Sequence, residues 1–317
     1  MQAKQTVLIF GVSSFLGSNL AQSLKDKYRV VGTYFNTQIS SKDFLTIKCD
    51  IKKPNLVKGI VNLTKPDIVF YCVGNKSINF CHEKPKESDA LNTNGAINVI
   101  NAIDAYNSKF FYFSSSMVYS GSDHEFSEID TPIPNTAYGN SLASAEFYIQ
   151  KSYLNYVIIR LPHIFGHSSC VKNATYFEKI QKAMIKKEEL STEDNALYGH
   201  LSVNDFLILV NECIEKKLTN LVMNFSSKDS MSFHDFASLY CEIYKEKEEF
   251  LSKKSKKIPQ LSNMGTQNLR DSRLVFEMNC QKCYELTRIE AKSIKESLID
   301  YKNSFVQKKK KVSLSII

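Results

Sequence analysis

A short apolar run, Thr6–Phe10, feeds directly into a glycine-bounded turn, Gly11-Val-Ser-Ser-Phe-Leu-Gly17, and Leu16, Leu20 and Leu24 then repeat at helical spacing. Few local patterns constrain a fold so tightly. A strand, a tight turn and a helix packed back on the strand open a parallel α/β unit. Gly11 permits the turn and Gly17 lets helix and strand approach closely. The middle position, Ser14, is where a backbone ordinarily comes nearest to a pyrophosphate; a serine still permits approach and adds a hydroxyl. Ser13, Phe15 and Leu16 complete the turn. Its free N–H groups and the positive end of the helix suit the phosphates of a dinucleotide.

Short apolar runs go on alternating with amphipathic stretches to about residue 165. Strands are expected at Tyr28–Tyr34, Phe44–Cys49, Asp67–Val73, Lys109–Phe113 and Tyr156–Arg160, and helices at Val57–Leu63, Glu87–Tyr106 and Tyr138–Lys151. The strands are continuously apolar, so both faces of the sheet are covered. The fold class that follows is α/β, a Rossmann-type doubly wound parallel sheet over residues 1–166. From 167 to 306 Lys-rich helical segments dominate and strands are sparse, Leu221–Asn224 being the clearest. This reads as a smaller, mostly helical C-terminal substrate lobe, with segments near 200–225 returning to the first domain. Residues 307–317 form a Lys-rich tail expected to be poorly ordered.

Composition narrows the classes. The 317 residues are 43% hydrophobic and 23% charged, as in ordinary soluble proteins. No apolar run approaches the roughly 18 residues of a membrane span. The start, MQAKQTVLIFG, reads as a first strand rather than a signal peptide, so a cytoplasmic protein is expected. Much of the net charge of +8 sits in Lys182–Lys187, Lys245–Lys257 and Lys308–Lys311. These read as solvated helix faces and a chain end, with no nucleic-acid-binding signature beside them. Eight cysteines, at 49, 72, 81, 170, 213, 241, 280 and 283, are expected to be reduced. Cys280-x-x-Cys283 has no second pair, so no metal site is expected.

After the second strand comes Gly32-Thr33-Tyr34-Phe35-Asn36. A carboxylate there favours NAD and an arginine favours NADP; the chain has neither. Thr33, Tyr34 and Asn36 can meet either ribose. The lack of a carboxylate to repel a 2′-phosphate tilts the expectation toward NADP over NAD.

The fifth strand runs into Phe113-Ser-Ser-Ser-Met-Val-Tyr119, and Ala137-Tyr-Gly-Asn-Ser141 follows. With these stretches the chain resembles the extended short-chain dehydrogenase/reductase family of nucleotide-sugar epimerases, dehydratases and reductases. Cys72-Val-Gly-Asn75, Cys81-His-Glu83, Leu91-Asn-Thr-Asn-Gly95, Asp194-Asn195 and Ser202-Val-Asn-Asp-Phe206 are most similar to the dTDP-4-dehydrorhamnose reductase branch. Arg160-Leu-Pro-His-Ile-Phe-Gly166 fits the family's sixth strand and loop. The resemblance spans roughly residues 5–300 and is specific over the first 166.

The resemblance implies that Ser115 orients a substrate oxygen and that Tyr138 exchanges a proton with it, beside a nicotinamide that exchanges the hydride. It also implies cofactor contacts at Asp50, Ile51, Cys72, Val73, Gly74, Asn92, Pro162 and His163. Asp50 reads as an adenine contact or a strand-end cap, and Asn92 as a holder of a relay water or a packing residue. His200 could touch substrate or cap a loop. Arg270 and Arg273 could face a nucleotide diphosphate or solvent. A homodimer through paired helices is a further implication.

One position departs from the pattern. The family carries Lys four residues after the Tyr, where it binds the nicotinamide ribose and lowers the phenol pKa from about 10. This chain has Leu142. Lys151 stands about 13.5 Å further along the helix at 1.5 Å per residue. Lys76, after the fourth strand, is a conceivable spatial substitute. Two readings therefore stay open: a reductase or epimerase of nucleotide-linked sugars with an atypical site, and a catalytically impaired NAD(P)-binding regulatory or partner subunit.

Overall fold

In a computed structural model that describes residues 4–39, 41–122, 124–168, 174–254 and 273–314, seven parallel strands form the central sheet. The first half of the chain runs β1 (Thr6–Phe10), α1 (Phe15–Leu24), β2 (Arg29–Tyr34), β3 (Leu45–Lys48), α2 (Pro54–Thr64), β4 (Ile68–Tyr71), α3 (Ile78–Glu83), α4 (Pro85–Asn92), α5 (Asn94–Ile103), β5 (Lys109–Ser115), α6 (Ala137–Lys151) and β6 (Asn155–Leu161). The second half adds β7 (His163–Phe165), α7 (Tyr176–Lys186), β8 (Leu190–Glu193), β9 (Ala196–Tyr198), β10 (His200–Ser202), α8 (Val203–Glu215), β11 (Leu221–Asn224), α9 (Phe233–Tyr244), β12 (Leu251–Lys254), β13 (Leu274–Phe276), α10 (Gln281–Thr287) and α11 (Ile294–Leu314).

The sheet order is β3-β2-β1-β4-β5-β6-β11. This is the doubly wound α/β class expected from the continuous apolar strands. The order reverses between β1 and β4, so the loops after those strands diverge and leave a crevice at their C-terminal ends. Both faces are buried. Val7, Ile9, Phe70 and Phe111 point to one core, and Leu8, Phe10, Val69 and Phe110 to the other. The sheet's far edge, β11, comes after α7 and α8 in the chain and pairs with β6 in register Leu221↔Val157.

Two differences from the sequence reading are local. The expected single helix Glu87–Tyr106 is two, interrupted at Thr93 (φ −103°, ψ −65°), whose Oγ1 donates to the Ser141 carbonyl at 2.7 Å. Beyond β6 the chain adds three small parallel ladders, β7–β10, β8–β12 and β9–β13; strands of three or four residues are too short to show a period. Helix α11 runs on through Lys308–Lys311 to Leu314.

Beneath α6 lies a buried ion pair. Arg160 on β6 donates through Nε and Nη2 to Glu146 (3.1 and 2.7 Å) and through Nη1 to the Tyr119 hydroxyl (2.7 Å). Its guanidinium lies 5.0 Å over the Tyr119 ring. Tyr119 in turn meets Asn224 Oδ1 at the end of β11 (3.0 Å). The network binds α6, β6 and β11 together. Arg160→Met should lower unfolding free energy by about 3–5 kcal/mol by stranding the Glu146 carboxylate in the core. Urea denaturation monitored by far-UV circular dichroism measures this; a loss below about 1 kcal/mol would show that the pair is not what holds α6 down.

Candidate active site

The glycine turn is built by backbone contacts that side chains would prevent. Gly11 has φ +83°, a left-handed conformation suited to glycine. Its amide and that of Val12 both donate to the Thr33 carbonyl (3.1 and 2.8 Å), so the end of β2 holds the turn. A Cβ on Gly17 would run into the Gly11 carbonyl. Ser14 is the N-cap of α1, its Oγ accepting from the Gly17 amide at 3.0 Å. That leaves the first helical amides, Phe15 and Leu16, without carbonyls inside the helix. No acidic residue stands in the first turn to oppose an anion. Ser13 is half-buried beside them. The cradle fits a pyrophosphate: free donors, a positive helix end and no side chain in the way.

Near the end of β2, Thr33 is buried with its Oγ1 turned back to the Gly11 amide (3.3 Å). Tyr34 is half-buried and Asn36 exposed beyond it. Asp50 Oδ1 accepts from the Lys52 amide at 3.1 Å, a strand-end cap. Ile51 is buried, its carbonyl taking a bond from Asn98 (2.9 Å).

Across the crevice, the Cys72 amide donates to Phe10 (2.9 Å), and its carbonyl lies where a Gly11 side chain would be. Val73 and Gly74 follow. Asn92 is buried and fully engaged. Its Oδ1 accepts from the Asn75 amide (2.8 Å), and its Nδ2 donates to the Asn75 carbonyl, Ser88 and Ser141 (3.2, 3.2 and 3.0 Å). It ties the loop after β4 to α6.

Ser115 ends β5, and its Oγ accepts from the Met117 amide at 3.2 Å. Tyr138 opens α6 behind the N-cap Thr136. The next residue, Gly139, presses on the Met117 carbonyl so closely that a Cβ would clash. This contact sets Tyr138 against the end of β5. Burial, and secondarily Cys81, pushes the Tyr138 phenol up; a hydrogen bond to Ser115 opposes them. Leu142 lies in the core cluster that Tyr138 packs on, with Tyr112 and Ala145.

No other lysine supplies the missing cation to Tyr138 among the described residues. Lys151 lies over the Phe147 ring at the far end of α6. Lys76 is solvent-accessible but hemmed in by protein, which lowers its pKa, with Lys179 the second cause; it acts electrostatically on His163.

Pro162 and His163 lead into β7, which pairs with β10 at His163↔His200. The rings lie 5.3 Å apart. His200 is fully buried, stacked on Phe236 (4.5 Å), with Nε2 toward the Met231 carbonyl (3.2 Å). Burial pushes its pKa down to about 4, and burial, His200 and Lys76 hold His163 well below the usual imidazole range. Both are neutral near pH 7. His200 is therefore a core residue, not a loop cap. Arg273 pairs with Asp194 (3.1 Å) and Asp235 (3.6 Å). Arg270 lies outside the described residues.

The sequence reading missed Gly139 as the residue that sets Tyr138. The capping box Thr175-x-x-Glu178 that starts α7 was also legible and went unread.

Comparisons with known proteins follow the same lines. The sequence profile of the RmlD substrate binding domain matches residues 5–303. Methionine adenosyltransferase 2 subunit beta from Danio rerio is 21% identical over 247 residues, covering 75% of this chain and 73% of that protein. dTDP-D-glucose 4,6-dehydratase from Homo sapiens is 27% identical over 264 residues, covering 76% and 74%. The crystal structure of dTDP-4-dehydrorhamnose reductase from Bacillus anthracis in complex with NADP superimposes with a TM-score of 0.77 at 19% identity, covering 96% of this chain and 99% of the other.

Gly17→Ala should weaken NADPH binding by tenfold or more, since the turn must open to admit the methyl; fluorescence titration measures it, and wild-type affinity would refute the cradle. His200 makes a separate expectation. Its folded pKa of about 4 lies below the unfolded 6.5, so the stability it contributes is complete above pH 6.5 and lost as pH falls toward 4. The upper bound is about 3 kcal/mol. His200→Phe should flatten the urea midpoint between pH 6.5 and 4; an unchanged slope would remove His200 from the acid response.

Proposed function

This chain belongs to the RmlD substrate-binding-domain family, and on that premise we propose that it binds a nicotinamide dinucleotide on Gly11–Gly17 and a nucleotide-linked sugar in the cleft beside Ser115 and Tyr138, acting as a reductase or epimerase. The observation that carries this reading is the contact of Gly139 with the Met117 carbonyl, which brings the phenol to the end of β5 and to Ser115. NADP is preferred to NAD, because the end of β2 presents no carboxylate toward a 2′-phosphate. The ribose would meet Asn36 and Tyr34, since Thr33 is committed to the turn.

A bound nicotinamide supplies the hydride donor or acceptor. The chain's residues do the rest. Ser115 holds the substrate oxygen at the phenol. Tyr138 keeps its proton, because burial raises its pKa and no lysine among the described residues lowers it. A neutral phenol can give a proton to the oxygen of a carbonyl being reduced, but it cannot take one from an alcohol. The site is thereby biased toward reduction.

Leu142 supports a second reading. An apolar residue in the lysine position binds no ribose hydroxyl, and a domain that holds NAD(P) without turning it over can serve as a regulatory or partner subunit. A relative whose name is that of an enzyme's subunit beta lends this reading weight.

Cofactor titration followed by absorbance with 4-keto sugar nucleotides separates the two. Reductive turnover should be flat from pH 6 to 9, since the proton-bearing phenol persists throughout, and Tyr138→Phe should abolish it. Leu142→Lys should raise oxidative turnover and introduce a pH dependence as the phenol pKa falls. Cofactor binding with no turnover on any sugar nucleotide, in wild type and in Leu142→Lys alike, would leave the subunit reading standing.

A further inference from the structure

Among the described residues the protein anchors histidines through their ring nitrogens. His124 meets Ser122, His167 meets Tyr301 and Gln181, His234 meets Thr192, and His200 meets the Met231 carbonyl. His163 departs from this habit. Its Nδ1 is buried and has no hydrogen-bond partner. A buried polar atom without a partner opposes folding, so its retention calls for a cause.

The residue's place in the fold supplies one. Strands β5 and β6 pair at Ser115↔Leu161, so His163 follows two residues past the level of Ser115, beyond the C-terminal edge of the sheet. It is half-buried, whereas His200, its neighbour across the β7–β10 ladder, is fully enclosed. Part of His163 therefore stays open to a ligand. Its ring stands nearly perpendicular to Phe233 (centroids 4.7 Å apart, 84°) and to Tyr176 (6.0 Å, 88°). The Tyr176 hydroxyl donates to the Phe233 carbonyl at 2.7 Å, which ties those two together. The plane of the imidazole is thus fixed by packing. Phe233 and Tyr138 both pack on the cluster that holds Met117, Tyr198 and Phe276. One side chain, Phe233, separates the imidazole from the cluster that carries the phenol.

The backbone amide of His163 is already committed, donating to the Gly199 carbonyl (3.2 Å). What the residue offers a ligand is its imidazole, which burial keeps neutral near pH 7. A neutral imidazole donates at one nitrogen and accepts at the other. Its match is an uncharged group that also does both, a hydroxyl; an oxyanion only accepts.

We propose that His163 hydrogen-bonds a hydroxyl of the sugar presented to Ser115 and Tyr138, and so decides which sugar the site takes. The inference rests on the nucleotide-sugar reading of that site. A site built to hydrogen-bond a hydroxyl rejects the ligand that lacks it far more strongly than an apolar pocket discriminates by size.

The test uses the full chain with saturating NADPH and isothermal titration of UDP-glucose, dTDP-glucose and the monodeoxy analogues of whichever binds. His163→Phe, which keeps the ring packing, should weaken the parent sugar nucleotide about tenfold or more. One deoxy analogue should bind wild type and His163→Phe alike, because the hydrogen bond is already absent from it; the others should show the parent's loss. His163→Gln should recover most of the parent's affinity, and NADPH affinity should stay within about twofold throughout. Ligand-free His163→Phe should melt at or above the wild-type temperature, since an unpaired polar atom leaves the interior; a structural role would lower it. A loss equal across all analogues, or a loss of NADPH affinity in place of sugar affinity, overturns the proposal. Sugar nucleotide bound equally by wild type and both variants removes this inference alone. A wild type that binds NADPH but no sugar nucleotide removes the nucleotide-sugar reading and this inference with it.

Discussion

The close approach of α6 to the backbone after β5 depends on Gly139 having no side chain. Any larger residue would lift the helix off the Met117 carbonyl. With the helix seated, its first turn brings Tyr138 to the end of β5, its second places Leu142 in the core, and its third delivers Glu146 to Arg160. The ion pair at the far end and the glycine contact at the near end fix the helix at two points. Asn92 braces it from the side through Ser141. The phenol is held by the architecture around it rather than by its own bonds alone.

Leu142 is where stability and chemistry diverge. A buried leucine contributes roughly 1.5–3 kcal/mol of packing. A lysine at the same point would have to be desolvated against Tyr112 and Ala145 and find oxygen partners. Asn92, the natural candidate, already makes four hydrogen bonds. The chain has closed the space that a cation would occupy, with the ordinary forces of a core.

The features legible in the sequence are those whose cause is local. The strand–turn–helix at Gly11–Gly17 is one, because φ at Gly11 and the Gly17 approach are decided within seven residues. The pairing of Ser115 with Tyr138 was legible only through family resemblance, since a loop and a helix boundary lie between them. Thr33 was read as a ribose contact because it ends β2; that its hydroxyl turns back to Gly11 depends on the pitch of a neighbouring turn. The side-chain partners of Asn92 come from three segments, and no pattern along the chain announces such a convergence. His200 looked like a loop residue until the β7–β10 ladder carried it inside.

The edge strand β11 has a consequence for how this protein comes off the ribosome. The sheet is complete only when Leu221–Asn224 pairs with β6, after the whole intervening excursion through α7 and α8 has been made. Until then β6, with Val157, Ile158 and Ile159 in its middle, offers an open apolar ladder of the kind that recruits strands from other chains. The cofactor-binding half is thus not self-sufficient during synthesis. The segment from β7 to α8 is the tether that returns with the strand that seals the sheet.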